Sequence, residues 1–257
     1  YKENKFFPEV LVEMGSPYIL RDLRGQGVVI YPFQYNPMTK TLRVYTKITL
    51  SIESTNKLLS SNNNKIFRQN DGVLKQSSEF KNIYQNLFIN YNSDYRFDYI
   101  DDLGSMLIIS YDDFIDEMLP FVEWKNKKGI PTEIVGLNSV GTTANDIQNY
   151  VNSYYSQNGL TYLLLVGDIN QMPTHIVSGS ASDPTFGFIE GNDAFSEIIV
   201  GRFSANNPSE LITQVERTLQ YEQDPSANVD HFNQALGVAS TQGPGYGGLT
   251  DAQFNDL

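Results

Sequence analysis

Two places in this 257-residue chain gather oxygen donors. Residues 160–168, LTYLLLVGD, end an apolar run in Gly167 and the carboxylate of Asp168, and residues 191–197, GNDAFSE, set Asn192, Asp193 and Glu197 on one short loop. Carboxylates from a loop, with a backbone carbonyl between them, are what a hard cation such as calcium prefers, and Asp168 from a neighbouring strand end would complete a cage. Function in α/β sheets gathers where strands end, which favours a ligand role for Asp168. The ordinary alternatives are a turn or cap aspartate and a solvated acidic loop. The formal net charge of −12 suits calcium or cationic substrates and argues against nucleic acid, whose phosphates need a basic face.

Other chemistries are bounded by inventory. Cysteine is absent, so these residues can build no disulfide, thiolate metal site or thiol nucleophile. His175, between Met172-Pro173-Thr174 and Ile176-Val177, reads as a strand-edge residue, and His231 as a surface one. No G-x-S-x-G elbow occurs. The loop Gln242-Gly243-Pro244-Gly245-Tyr246-Gly247-Gly248 follows an expected strand, but its glycines do not fit G-x-G-x-x-G and Pro244 removes an amide donor. Glycines that let a substrate strand approach the backbone are the better reading.

These residues need a frame to hold them. No run approaches the roughly 18 uninterrupted apolar residues of a membrane span. From Val28 to Ile52, apolar and polar residues alternate in two runs, VVIYPFQY and TLRVYTKITLSI, around Asn36-Pro37-Met38-Thr39-Lys40, the pattern of a β-hairpin with one face buried. Residues 51–78 include SSNNNK and lack apolar periodicity, as a linker does.

Beyond Asp101, strands and helices alternate. MLIIS (106–110) reads as a buried strand, followed by a helix capped by Asp112 or Asp113, bent at Pro120 and stopped at Gly129. A strand at 132–135, a helix at about 143–156 and the LLLV strand come next. Strands at 197–200 and 235–240 flank a helix opened by Asn207-Pro208-Ser209-Glu210. The expected fold class is therefore α/β, a mostly parallel sheet flanked by helices and preceded by antiparallel β structure. Tyr1 is not an initiator methionine and TDAQFNDL opens a helix that stops early, so the chain reads as an excerpt of something longer.

The segments FVEWKNKKGIPTEI, LTYLLLVGDINQMP, SDPTFGFIEGNDAFSEIIVGRFS and QVERTLQYE, in this order, resemble the catalytic domain of the gingipain-type cysteine peptidases, family C25 of clan CD. GSPYILRDLRGQGVVIYPFQYNPMTKTLRVYTKITLSI resembles the last part of the propeptide preceding that domain. The resemblance implies a caspase-like α/β fold and endopeptidase chemistry by a Cys/His dyad. In the family the histidine sits in a GHG motif and the cysteine on a later strand end, both C-terminal to this stretch. These residues alone are then inert.

The resemblance also implies particular roles. The family's calcium site would fall on Asp168, Asp193, the carbonyl of Phe195 and Glu197, with Glu190 and Asn192 as further candidates. Gln242 stands where arginine-specific members carry a glutamate that orients the histidine. A neutral amide can hold an imidazole but stabilises its cation less. Asp251 would lie at the base of the S1 pocket, where a carboxylate grips guanidinium by paired bonds. The alternative for Asp251 is a helix N-terminal aspartate facing the dipole. The family's propeptide cut would fall before Tyr95, where Asp94 precedes in place of a basic residue and Arg96 lies nearby.

The expectation is thus a propeptide part at 1–94 and the first part of a caspase-like catalytic domain at 95–257. It describes a calcium-stabilised bacterial endopeptidase, secreted or at the cell surface. Its expected partners are peptide or protein substrates, its own propeptide and the type IX secretion machinery. Preference for basic P1 residues goes with Asp251. Two rivals are a type IX sortase of the same clan and a non-catalytic calcium-binding surface module.

Overall fold

The structure is a computed structural model that describes residues 3–51, 78–91, 104–191, 193–224 and the isolated positions 234, 236, 237, 239, 250, 252 and 253. By Cα packing the chain divides into residues 1–212 and 213–257.

Hairpins build the N-terminal part. β1 (Val12–Leu20) and β2 (Leu23–Ile30) pair antiparallel, with Leu20 opposite Leu23 and only Arg21-Asp22 between them. Arg21 takes φ +49° at this two-residue turn. The alternating run that begins at Val28 therefore does not form one hairpin. Its first residues belong to β2, because EMGSPYIL upstream supplies a partner strand, and only β3 (Phe33–Asn36) and β4 (Thr41–Val44) pair as expected.

The expected orientation of that hairpin is also reversed among the described residues. Phe33, Tyr35, Leu42 and Val44 are exposed, while Gln34 and Asn36 are buried. Both buried amides are engaged: Gln34 donates to the Pro8 carbonyl at 2.7 Å, and Asn36 accepts the Met38 and Thr39 amides at 3.0 and 3.2 Å, closing the turn. A polar side chain can be buried when its bonds are made. α1 (Ser78–Leu87) then buries Phe80 and Tyr84 against Leu20 of the β1–β2 tip.

The remainder of residues 1–212 is a parallel α/β layer. β5 (Met106–Ser110) is buried along its whole length. A 3₁₀ turn at Asp112–Phe114 leads into α2 (Ile115–Lys127), which runs on through Pro120. Neither Asp112 nor Asp113 caps it; Asp112 instead accepts the Asn138 amide at 3.0 Å. β6 (Thr132–Gly136), the short α3 (Leu137–Val140) and α4 (Ala144–Asn158) follow. Thr143 and Asp146 form a capping box at the start of α4, two orphan amide donors satisfied reciprocally.

β7 (Tyr162–Val166) carries the LLLV run, β8 (His175–Val177) and β9 (Ser180–Ser182) make a small hairpin, and β10 (Ile199–Phe203) returns to the sheet. The sheet order is β10-β7-β5-β6, every pair parallel. Leu107, Ile109, Leu163 and Leu165 pack on one face with Ile147, Val151 and Tyr155 of α4. The opposite residues Met106, Ile108, Leu164 and Val166 are buried too, as a strand covered on both faces requires.

β10 begins two residues later than the sequence pattern suggests, so Gly201 and Arg202 lie within it and Glu197 lies in the loop before it. α5 (Pro208–Gln223) starts where its signature predicts: Glu210 bonds the Asn206 amide and Asn207 bonds the Glu210 amide. The strand expected at 235–240 lies outside the described residues apart from isolated positions.

Candidate functional site

β5 comes first in the sheet, β6 adds on one side of it and β7 on the other. The chain reverses its winding between β5 and β7, and in open α/β sheets the crevice beyond the carboxyl ends of such strands is where ligands bind. Asp168 stands there. Its amide donates to the Ala205 carbonyl at 2.9 Å, its own carbonyl accepts from Gln171 and Met172, and its Oδ1 accepts the Ser204 hydroxyl at 2.8 Å. That hydroxyl holds the Asp168 carboxyl below the ordinary range.

Beside it, Arg202 projects from β10. It donates Nε and Nη2 to the two oxygens of Asp183, each at 2.7 Å, and Nη1 to the carbonyls of Gly167 and Met172 at 2.8 and 2.9 Å. Burial works to raise the Asp183 carboxyl, but the bonds and charge of Arg202 together with the Thr174 hydroxyl outweigh it and the net shift is downward. This fork is the strong bidentate form of the ion pair, and it ties the loop after β7 to β10.

The other acids lie at the opposite end of the sheet. Ile199 pairs with Tyr162, so the residues just before β10 lie where β7 starts, while Asp168 lies beyond where β7 stops. The five paired residues between them span roughly 16 Å. The single cage of Asp168 with Asp193 and Glu197 is therefore not formed. The reason is topological: a strand parallel to β7 has to begin at β7's beginning, so the loop preceding β10 is carried back across the sheet. Among the described residues, no three His, Asp or Glu side chains converge on a metal-sized space.

What meets Asp193 and Glu197 is the tip of the β1–β2 hairpin. Asp193 accepts the Phe195 amide on Oδ1 at 3.0 Å and the Ile19 amide on Oδ2 at 2.9 Å. Glu197 is fully buried. Its Oε2 accepts the Ile189 and Glu190 amides at 2.8 and 2.9 Å, and its Oε1 accepts the Arg21 amide at 3.3 Å. Burial pushes the Glu197 carboxyl up to about 7 against the pull of these amides, and the neighbouring Asp193 charge adds to the rise.

Arg21 locks the contact. Its Nη1 donates to the Leu160 carbonyl at 2.6 Å and the Glu197 carbonyl at 2.8 Å, and its guanidinium lies 4.7 Å from the centre of the Phe80 ring. Tyr18 stacks on Phe195 with ring centres 3.9 Å apart. Gly25, opposite Tyr18, makes room for that ring, since a Cβ there would run into Tyr18 and Phe88. The Tyr84 hydroxyl donates to Asp22 at 3.1 Å and accepts the Asp22 amide at 3.3 Å, fixing the turn from the α1 side.

Of the other expected site residues, Glu190 contributes its amide to Glu197, and Phe195 its amide to Asp193 and its ring to Tyr18. His175 sits in β8 with its ring 4.9 Å from Phe186, consistent with a strand-edge role. Asn192, His231, Gln242 and Asp251 lie outside the described residues. Sequence reasoning missed Arg21, Tyr18 and the Arg202–Asp183 pair. The one available signal for the pair was an arginine inside an otherwise apolar strand, which needs a buried acceptor.

These features define a parallel α/β domain with strand order 2-1-3-4, carrying an N-terminal hairpin seated at the foot of its sheet. The profile of Peptidase family C25 matches residues 100–256 and the Propeptide_C25 profile matches residues 1–97. The chain belongs to peptidase family C25.

Gingipain R2 of Porphyromonas gingivalis is 38% identical over 251 residues, which cover 95% of this chain and 33% of that protein. Lys-gingipain of the same organism is 25% identical over 264 residues, covering 93% of this chain and 14% of its own length. The crystal structure of the Arg-specific cysteine proteinase gingipain R superposes with a TM-score of 0.53 at 36% identity, over 61% of this chain and 38% of that one. The complex of Porphyromonas gingivalis RgpB pro- and mature domains gives 0.52 at 37% identity, over 60% and 38%. The fold is thus the caspase-like one of these peptidases, with antiparallel strands before it. The chain spans about a third of the length of the gingipain R2 it matches.

Proposed function

We propose that these residues are the end of a propeptide and the first part of the catalytic domain of a gingipain-like cysteine endopeptidase, divided near residue 94. The observation that carries this is the succession of the two family profiles along one chain, propeptide first. With no cysteine in the sequence, the thiolate has to come from residues outside these 257, and the chain by itself is inactive. What this part supplies is the sheet whose carboxyl ends flank the cleft, with Arg202 and Asp183 fixing the loop after β7. Cleavage after arginine is the expected specificity, supported by the closer match to gingipain R2 than to Lys-gingipain and by Asp251 as a carboxylate for the guanidinium.

Calcium belongs to the same proposal. Asp193, the Phe195 carbonyl and Glu197 are oxygen donors of the right kind for it, while Asp168 belongs to the other end of the sheet and is not one of that set. Peptide substrates, the chain's own propeptide, and export to the bacterial surface or beyond by the type IX machinery complete the reading. No helix among the described residues is long and apolar enough to cross a membrane.

The test uses the whole protein of which these residues form part. Peptides with arginine, lysine or alanine at P1 are offered before and after thiol alkylation. The proposal expects cleavage after arginine that alkylation abolishes. Hydrolysis indifferent to alkylation, or no hydrolysis once the propeptide is removed, would overturn it.

A further inference from the structure

We propose that the Arg21–Asp22 peptide bond is a latent cleavage site for an arginine-specific endopeptidase, closed while the β1–β2 tip is seated on the sheet and opened when it withdraws. The inference rests on the arginine preference proposed above and adds a bond of this chain on which that preference acts. Residues 3–51 contain three arginines. Arg24 and Arg43 lie within paired strands, opposite Ile19 and Gln34. Arg21 alone stands at a turn, with Asp22 between the paired Leu20 and Leu23. Turn tips are where proteolytic nicking concentrates, so the residue that such an enzyme reads occupies the place in these hairpins best suited to be cut.

The fold hides that residue. Only 12% of the Arg21 side-chain surface reaches solvent. Its Nη1 is committed to the Leu160 and Glu197 carbonyls, and its guanidinium lies 4.7 Å from the centre of the Phe80 ring and 5.7 Å from that of Tyr155. Its amide donates to Glu197 at 3.3 Å, and its φ of +49° is a turn geometry and not an extended one. A P1 pocket needs the guanidinium free and the flanking residues extended, and neither holds while the tip is seated. Leu160, Glu197 and Tyr155 belong to the part matched by the C25 profile, so withdrawal of the hairpin removes them together. Hydrolysis then adds water across the Arg21–Asp22 amide, leaving a carboxylate on Arg21 and an amine on Asp22. β1 and β2 lose their turn, and with it the geometry that presents the Ile19 amide and the Arg21 guanidinium to the sheet at once. The cut tip cannot be seated as before, which makes the withdrawal one-way.

The experiment exposes the 257-residue chain to an added arginine-specific endopeptidase and follows Asp22 as a new N-terminus by mass spectrometry. A synthetic peptide of residues 15–27 gives the unprotected rate. Phe195→Ala removes the ring against Tyr18, Tyr84→Phe removes the bonds to Asp22, and both leave residues 15–27 unchanged. Hydrogen-exchange protection of the β5 and β7 amides reports that each variant is folded. The wild-type chain should be cut at Arg21 more slowly than the peptide by a factor on the order of a hundred or more, as for a site reached only through local opening. Phe195→Ala should raise that rate about tenfold and Tyr84→Phe severalfold, since cleavage follows the population of the open form. Wild-type cleavage at the peptide's rate, a peptide left uncut after Arg21, or folded variants no faster than the wild type would each overturn the proposal. In the whole protein, a propeptide that has been released should carry the Asp22 N-terminus. Cleavage of arginine peptides without that N-terminus would overturn the one-way step. No cleavage of arginine peptides would instead remove the specificity reading, with the protection of Arg21 against the added enzyme still standing.

Discussion

The two ends of the parallel sheet solve the same electrostatic problem with different parts. At the carboxyl end, the half-buried acid Asp183 is matched by one guanidinium from a strand of the same sheet, and Asp168 stays near solvent with a hydroxyl for company. At the amino end, Asp193 and Glu197 are matched chiefly by backbone amides, part of them lent by a hairpin distant in sequence. The first end is complete within its own domain. The second draws part of its compensation from the hairpin, so the difference separates acids matched within one domain from acids matched across sequence-distant segments.

Changes can be ranked by how strongly they disturb this contrast. Leu165 lies fully buried in β7 between the ends, and Leu165→Ala should cost about 2–5 kcal/mol and loosen both ends together. Urea unfolding measures this, and a loss confined to one end would show that the sheet does not couple them. Glu197→Ala strips three amides of their acceptor and should cost on the order of 3 kcal/mol. Glu197→Gln retains one acceptor oxygen and should cost less; equal losses for the two would mean that the bonds to Glu197 are not what stabilises the loop.

Asp183→Asn should cost about 1–3 kcal/mol, because its bonds are charge-assisted but not wholly shielded from water. It also carries a pH signature. The folded Asp183 carboxyl titrates below its unfolded value, so the stability it confers is fully present above the unfolded pKa and disappears as the pH falls through the folded one. Thermal melts of the variant in mildly acidic buffers should therefore fall less steeply than those of the wild type. The smallest effect belongs to Asp168→Asn, which leaves the Asp168 backbone bonds intact and should not move the melting temperature measurably.

Much of the layer was legible because strong local signals agreed. MLIIS and LLLV could only be strands buried on both faces, and Asn207-Pro208 with Glu210 could only open a helix. The hairpins were less legible. Alternation reads the same from Val28 onward whether the partner strand lies before or after it, and the pattern does not reveal that Gln34 and Asn36 would find partners inside. The candidate site was misjudged for a reason the sequence contained. Parallel pairing of β7 and β10, itself expected, already places the end of one and the beginning of the other on opposite sides of the sheet. Arg21 and Tyr18 were invisible because the partners that seat them on the sheet, Leu160 and Glu197 for Arg21 and Phe195 for Tyr18, are more than 130 residues away.

The separation of the acids is the claim on which the rest depends, and amide hydrogen exchange in Asp168→Asn tests it most directly. The amides of Arg21, Ile189 and Glu190 should keep their wild-type protection in that variant and lose it in Glu197→Ala. Loss of protection at those three amides in Asp168→Asn, comparable to that in Glu197→Ala, would mean that the carboxylates act as one cluster and would contradict the account.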